Sequence, residues 1–355
     1  MLPVNQCITG FMSNIEELCR AAAVDPERVR QIVVSGETGM LHLMLHRAWN
    51  PLEQSLGPKD GGYLADQFDI KSSSRARIYA LPVISAYAGA DITAAMLATR
   101  LHKSEATTLM LVLGTSARAV LYHDGRVVAA GADGCGAFDC VGIACGMRPE
   151  TGAIEHVFLD EQGFHVATIG ESLPRGICGS GLLELAAALK RAGLMDDYGA
   201  LQPRDEQRQT GIGFVTVDGQ SAFRLYSDEG IFETDIFVTQ EDIYLLRGAK
   251  ARIAELVRRL LANEGISAGD VARVIVSGSL GELSNPSVLF QTGILDPAFA
   301  DKVAVVGNAS RQGAQLALLD KTILEEAEEL ARSVACLPQS SDPLPDTELH
   351  FLPQP

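Results

Sequence analysis

The sequence predicts an α/β fold, and three observations carry that expectation. Apolar strand, glycine turn and helix recur at 31–48, 176–190, 274–290 and 303–319, the alternation that surrounds a sheet with helices. "TTLMLVLGTSARAVLYHDGRVVAAG" reads as three strands in succession, with a favoured Asp-Gly hairpin turn at Asp124-Gly125. "EDIYLLRGAKARIAELVRRLLANEG" reads as one long helix, and Gly265 suits its C-terminal cap.

The other elements follow in order. Asn14 to Ala23 reads as an amphipathic helix with Leu18 and Ala22 on one face. "VRQIVVSG" is a buried strand ending at Gly36, and "TGMLHLMLHRAW" a helix stopped near Pro51. Residues 52–78 are irregular, with "GPKDGG" and "KSSSRAR" as loops. "ALPVISAYAGADITAAMLATRLH" gives an extended lead-in, a glycine turn and a helix for which Asp91 is the expected N-cap. "EHVFLDEQGFHVATIG" is a hairpin. "GICGSGLLELAAALKRAGLM" is a glycine turn opening a helix, with Leu182, Leu183, Leu185 and Leu189 as apolar positions. "GFVTVDG", "AFRLYS" and "IFVTQ" are short strands, "KTILEEAEELARSVA" is a final helix, and the proline-rich end beyond Leu337 reads as extended.

Composition narrows the function classes. The chain has 355 residues, 47% of them apolar, which supports a substantial core and two lobes. Twenty-nine basic residues stand against 45 acidic ones, a net charge of −16. That balance argues against nucleic acid or an anionic membrane as the main partner. The N-terminus has no basic region followed by a long apolar core, and no run reaches the ~18 apolar residues of a membrane helix, so a cytoplasmic location is expected. Seven scattered cysteines do not form a disulfide framework.

The residues with chemical potential lie in glycine turns. Gly114, Thr115 and Ser116 form a turn between two strands that can aim backbone N–H groups and two hydroxyls at a phosphate; an ordinary tight hairpin accounts for them as well. Gly278 and Gly281, in "SGSLGE", follow a buried strand and would let a ribose or a flat ring approach the backbone closely, although a purely structural turn fits equally. "VVGNASRQGA" is a third turn of this kind. Cys135, Cys140 and Cys145 stand five apart in a glycine-rich loop, with Cys178 in the next turn. That spacing matches no common zinc or iron–sulfur pattern, so small buried thiols are the expected reading and no metal site is assigned. Asp139 in this loop is a candidate water-orienting carboxylate, or a helix cap. His42 reads as a hydrogen-bonded core histidine and Lys250 as a solvated or ion-paired lysine.

Taken together, "SGETGMLHLML", "ALPVISAYAGADITAAMLA", "GAFDCVGIACGMRPETGAIEHV", "PRGICGSGLLELAAALKRAGLMDDYGAL", "QEDIYLLRGAKARIAELVRRLL" and "VGNASRQGAQLALL" resemble, in order, the C-terminal domain of the reductive activators of corrinoid proteins. The resemblance covers nearly the whole chain. It implies the two-lobed, RNase H-like fold of actin, Hsp70 and acetate kinase, with ATP in the cleft. It further implies ATP-driven transfer of an electron from a [2Fe–2S] cluster to Co(II) of a corrinoid protein, giving Co(I) for methyl transfer.

Four departures stand against that pattern. No C-x4-C-x2-C pattern of a ferredoxin-like domain occurs, so no iron–sulfur cluster is expected in this chain. The first lobe begins at a helix, without the family's opening strands and first phosphate hairpin. Val112 stands where the family hairpin has a metal-holding aspartate, and Ser116-Ala117-Arg118 where it has Asn-Gly-Glu. The family's adenosine turn is "SGSLG" here, and its glutamate in the cysteine loop corresponds to Asp139. The expected organisation is a truncated first lobe at 1–106, a second lobe at 107–337 with the phosphate-type hairpin and adenosine-type turn, and an extended tail at 338–355.

The resemblance thus implies a component of ATP-dependent corrinoid activation with a weakened Mg·ATP site. The alternative is a non-catalytic paralogue that docks a corrinoid protein or methyltransferase as scaffold or regulator. A separate ferredoxin-like chain is a further expected partner for the first reading. An incomplete first lobe would expose a sheet edge, so a homodimer is expected.

Overall fold

The computed structural model describes residues 4–44, 63–64, 77–114, 116–203, 212–228, 235–278, 285–340 and 343–351. The chain runs through α1 (Val4–Ala21), β1 (Gln31–Val34), α2 (Thr38–Met44), β2 (Tyr63–Leu64), β3 (Arg77–Ala80) and α3 (Ala90–Thr99). The strands β4 (Thr108–Leu113), β5 (Ala117–His123) and β6 (Arg126–Ala132) follow, then β7 (Ala153–Asp160), β8 (Gly163–Thr168), β9 (Gly176–Ile177) and α4 (Gly179–Arg191). Next come β10 (Gly213–Val217), β11 (Gln220–Ser227), β12 (Asp235–Thr239) and α5 (Gln240–Asn263). The last elements are β13 (Arg273–Ser277), α6 (Pro286–Gln291), β14 (Val303–Val305), α7 (Ala309–Leu319), α8 (Lys321–Ser333) and β15 (Ala335–Cys336). The largest sheet has the strand order β14-β13-β4-β5-β6-β15.

By contacts the chain divides into two compact units, one of residues 1–106, 120–130 and 308–338, the other of 107–119, 131–307 and 339–355. In the first, β1 and β3 pair in parallel, Gln31 opposite Arg77 through Val34 opposite Ala80, with β2 antiparallel on β3. Helix α3 is apolar on all sides and buried from Ala90 through Leu97 apart from Asp91, as expected of a helix inside a core. It packs against α7 so closely that a Cβ on Gly313 would stand 1.9 Å from the Ala94 carbonyl oxygen. Ser310 Oγ donates to the Asp91 carbonyl at 2.8 Å, and Asn308 caps α7 by accepting from the Arg311 N–H at 3.0 Å.

Two local expectations change here. The first helix begins at Val4 and buries Cys19, while Leu18 is 68% exposed; a ten-residue window misplaced its apolar face. Helix α3 starts two residues earlier than an Asp91 N-cap requires. Gly89 is its N-cap, and only glycine fits there, since a Cβ would lie 2.6 Å from the Gly36 carbonyl oxygen. His42 is buried, as read from its apolar surroundings. Most of the irregular segment 52–78, and Trp49, fall outside the described residues.

The second unit is built on β13, which pairs in parallel with β4 on one side and β14 on the other. The hairpin β7–β8 and the antiparallel sheet β10-β11-β12 flank it in sequence. Leu182, Leu183, Leu185 and Leu189 of α4 are fully buried. In α5, Ile243, Leu246, Ala249, Ile253, Leu256 and Leu260 recur at helical spacing and are buried. The helix starts with a reciprocal capping box. The Thr239 hydroxyl accepts from the Asp242 N–H at 3.1 Å, and the Asp242 carboxylate accepts from the Thr239 N–H at 2.8 Å. Gly265, at φ 68°, ends it as expected, its N–H donating to the Ala262 carbonyl. The tail is not simply extended. Residues 346–349 form a 3₁₀ turn, and Phe351 is fully buried.

Candidate functional site

The carboxyl ends of β4, β13 and β14 meet in the second unit. Val112 is opposite Ser277 in the parallel register of β4 and β13. Ser277 Oγ donates to the Gly307 carbonyl at 2.7 Å, and the Gly278 N–H donates to the same oxygen at 3.3 Å. The Val306 N–H donates to Val276 at 3.0 Å. Gly278 has φ 101°, and a Cβ there would lie 2.3 Å from the Leu113 carbonyl oxygen. Glycine is therefore imposed at 278 by the approach of β4, independently of any ligand. The structure thus brings Gly114, Gly278 and Gly307 to adjacent strand ends, where open α/β sheets take their ligands. Gly114 and Ser116 are half-buried. Thr115 and Gly281 lie outside the described residues.

Hairpin chemistry is set by what stands beside the turn. Val112, half-buried, offers no oxygen to a cation. Arg118, two residues past Ser116, is buried; it donates to the Ala117 carbonyl at 3.0 Å and the Ala132 carbonyl at 3.3 Å, and lies 3.5 Å from the Asp133 carboxylate. Its charge is thus held by the ends of β5 and β6, a role the sequence did not signal.

Asp139 ends a 3₁₀ turn, Gly136–Asp139, and is half-buried. The turn is fixed from below by α4. A Cβ on Gly179 would stand 1.8 Å from the Phe138 carbonyl oxygen; α4 presses on β7 as well, where a Cβ on Gly181 would stand 2.3 Å from the Ile154 carbonyl oxygen. From the side, the Asp242 carboxylate accepts from the Ala144 N–H at 2.9 Å. Asp242 is 2% exposed. One carboxylate therefore caps α5 and clamps the cysteine-rich loop. Sequence reasoning passed over it, although Thr239-x-x-Asp242 ahead of an apolar run is a capping-box signal.

The thiols behave as small buried side chains. Cys135 donates weakly to the carbonyls of Ala132 and Ala249 at 3.9 and 3.8 Å, and Cys178 to Ile154 at 3.3 Å. Burial pushes the Cys135 thiol up to about 11 and the Cys140 thiol up to about 12, and raises Cys145 as well. Among the described residues no three His, Cys, Asp or Glu side chains are grouped to hold a metal. Among the described residues no grouping supplies the carboxylates of a magnesium site.

Lys250 corrects its sequence reading. It is 2% exposed rather than solvated, and its Nζ donates to the His350 carbonyl. Burial, with Lys190 nearby, lowers it to about 8.

Comparison with known proteins gives a coherent set. Residues 106–344 match the family model described as the C-terminal domain of RACo, the ASKHA domain, and residues 4–104 match that of the RACo middle region. The corrinoid activation enzyme RamQ of Eubacterium limosum is 31% identical over 86% of this chain and 53% of its own length. The [Co(II) methylated amine-specific corrinoid protein] reductase of Methanosarcina barkeri is 24% identical over 75% of this chain and 49% of its own. A solved reductive activator for corrinoid, iron–sulfur protein superposes with a TM-score of 0.83 at 32% identity, covering 94% of this chain and 54% of that one. The chain thus spans about half the length of the relatives it matches. Family models over nearly its whole length and the shared fold establish that the chain belongs to the RACo family, with an ASKHA domain at 106–344.

Proposed function

We propose that this chain is a component of the ATP-dependent reductive activation of a corrinoid protein, in which Co(II) is returned to Co(I) for methyl transfer. The observation that carries the reading is its 31% identity over 86% of the chain to a corrinoid activation enzyme, RamQ. The convergence of the strand-end turns at Gly114, Gly278 and Gly307 supports a nucleotide at the carboxyl edge of β4, β13 and β14. In this reading Gly114, Thr115 and Ser116 face the phosphates, Gly278 and Gly281 the adenosine, and Asp139 orients a water. Phosphoryl chemistry in such sites rests on positioning and charge neutralisation. Bound ATP would supply the free energy for a conformational change in the complex with the corrinoid protein. In this proposal the boundary between the lobes falls near 106–107, with residues 120–130 and 308–338 belonging to the first unit and 339–355 to the second. The electron comes from a [2Fe–2S] group, on a ferredoxin-like chain where it is not on this polypeptide, and the protein is a homodimer.

Val112 favours a second reading, a non-catalytic paralogue that docks a corrinoid protein or methyltransferase without hydrolysing ATP, because the position that should help hold magnesium carries an isopropyl group. Calorimetric titration with Mg·ATP and Mg·ADP separates the two. The first reading expects magnesium-dependent binding, with about 2.7 kcal/mol of added stability at a hundred times Kd. Capture of a purified corrinoid protein that is equal with and without ATP, together with no nucleotide heat at millimolar concentration, would leave the docking reading. Light scattering tests the dimer.

A further inference from the structure

Away from the strand ends, a cavity of about 450 Å³ lies within the second unit, inside the 300–1,000 Å³ range of small-molecule sites. Val257 and Leu261 of α5, with Leu295 and Phe299 from the segment after α6, form its apolar wall. Two groups of opposite charge also line it, the Lys250 ammonium and the Glu348 carboxylate. They interact across the space, yet no ion pair joins them among the described residues. Lys250 donates to a backbone carbonyl, that of His350. Glu348 is half-buried, and burial raises it.

The remaining charged groups at the cavity are already engaged. Arg258 forms a two-point pair with Glu255, at 2.7 and 2.8 Å, and acts on Glu348 only through space. Asp296 accepts from the Ala298 N–H at 2.8 Å. A buried ammonium and a half-buried carboxylate that act on each other without closing an ion pair both gain from a nearer counter-charge. A ligand with both charges relieves both costs at once.

We propose that this cavity binds an apolar zwitterion, a free amino acid with a branched or aromatic side chain. Its carboxylate is held by Lys250, its ammonium by Glu348, and its side chain lies on Val257, Leu261, Leu295 and Phe299. A plain carboxylic acid would leave the ligand's negative end beside Glu348 with nothing to offset it. A neutral apolar molecule would leave both protein charges without a directly bonded counter-charge. The proposal does not depend on the nucleotide reading.

The test is calorimetry on the full chain with L-leucine and L-phenylalanine, against N-acetyl-L-leucine, which lacks the ammonium, and L-leucinamide, which lacks the carboxylate. The expected result is saturable one-site binding of at least one free amino acid, tenfold or more weaker for both analogues. Glu348→Gln should weaken leucine binding while leaving N-acetyl-leucine unchanged or tighter, and Lys250→Met should weaken leucine binding at least tenfold. Leu295→Trp, which fills the cavity, should abolish binding with a cooperative thermal transition retained. Absence of saturable heat with both amino acids up to about 10 mM overturns the proposal. So does N-acetyl-leucine binding as tightly as leucine, or Glu348→Gln binding leucine like the wild type. If Lys250→Met fails to fold, the analogue series and Glu348→Gln decide alone.

Discussion

Gly278 sits where two backbones nearly touch, and Lys250 sits where a charge would ordinarily not be left; both make sharp predictions. Gly278→Ala places a methyl 2.3 Å from the Leu113 carbonyl at φ 101°, so strand β4 must move. The expected loss is on the order of 2–4 kcal/mol, read by denaturant unfolding. Wild-type stability would show that the turn has another solution. Lys250 falls from 10.5 to about 8 in the folded protein. The unfolded chain then binds more protons between these values, so stability rises with pH across that window. Below pH 8 the burial cost of the ammonium is fully present. At about 1.4 kcal/mol per pH unit the recovery is ~3 kcal/mol. Cys135 and Cys140 act oppositely, because their thiols ionise in the unfolded chain from about 9 and in the folded protein only at about 11 and 12. The readout is therefore the stability of wild type relative to Lys250→Met, at pH 7 and pH 10, where both carry the same thiols. A difference that does not move with pH would mean that Lys250 is hydrated.

At the scale of elements, one carboxylate organises the start of α5 and the loop that carries Asp139. Asp242 accepts from Thr239 N–H and Ala144 N–H at 2.8 and 2.9 Å while 2% exposed. Asp242→Ala takes the acceptor from two partly buried donors and removes the cap. A cost of about 2–4 kcal/mol is expected. Hydrogen exchange should quicken at residues 140–147 and in the first turn of α5, and not in β10–β11. Uniform change across the second unit would show that Asp242 acts on global stability alone. Asp242→Asn, which keeps one acceptor oxygen, should recover part of the loss. The four glycines at 146, 176, 179 and 181 act in the same region, each barred from a side chain by a neighbouring carbonyl oxygen 1.8–2.7 Å away. The family-specific appearance of "GIACGMRPETG" and "GICGSG" thus has a packing cause: two loops pressed together at backbone distance.

For the whole molecule, sequence order and packing order differ. Residues 308–338 pack with 1–106, through α7 on α3 and the Gly313–Ala94 contact. A fragment of 1–106 therefore lacks the helix that covers α3, seven of whose ten residues are buried. It is expected to be unfolded or aggregated by circular dichroism and amide spectra. Mixing it with a 308–338 peptide should restore helical signal and dispersion. A fragment that folds alone would mean that α7 is dispensable to that unit. Among the described residues no helix is long and apolar enough to cross a membrane.

Element types were legible because they depend on neighbours in the chain. The strand periodicity of 108–132, the Asp-Gly turn at 124–125 and the apolar spacing of α5 needed only local pattern. Glycine turns after strands also marked the strand ends, and the family motifs marked the fold. The long-range consequences were not legible. Whether Lys250 meets water or the His350 carbonyl depends on a segment a hundred residues later. Whether Cys135, Cys140, Cys145 and Cys178 form a cluster depends on how the 135–147 loop folds over α4. Whether Gly278 serves a ligand or a neighbouring strand depends on the distance to Leu113. The sequence by itself determined the α/β class, the family and the position of the strand-end turns, since these follow from periodicity, turn chemistry and motif order. Only the tertiary structure decided burial and partner for each charged or polar group, because desolvation and hydrogen bonding are set by atoms brought close in space by folding.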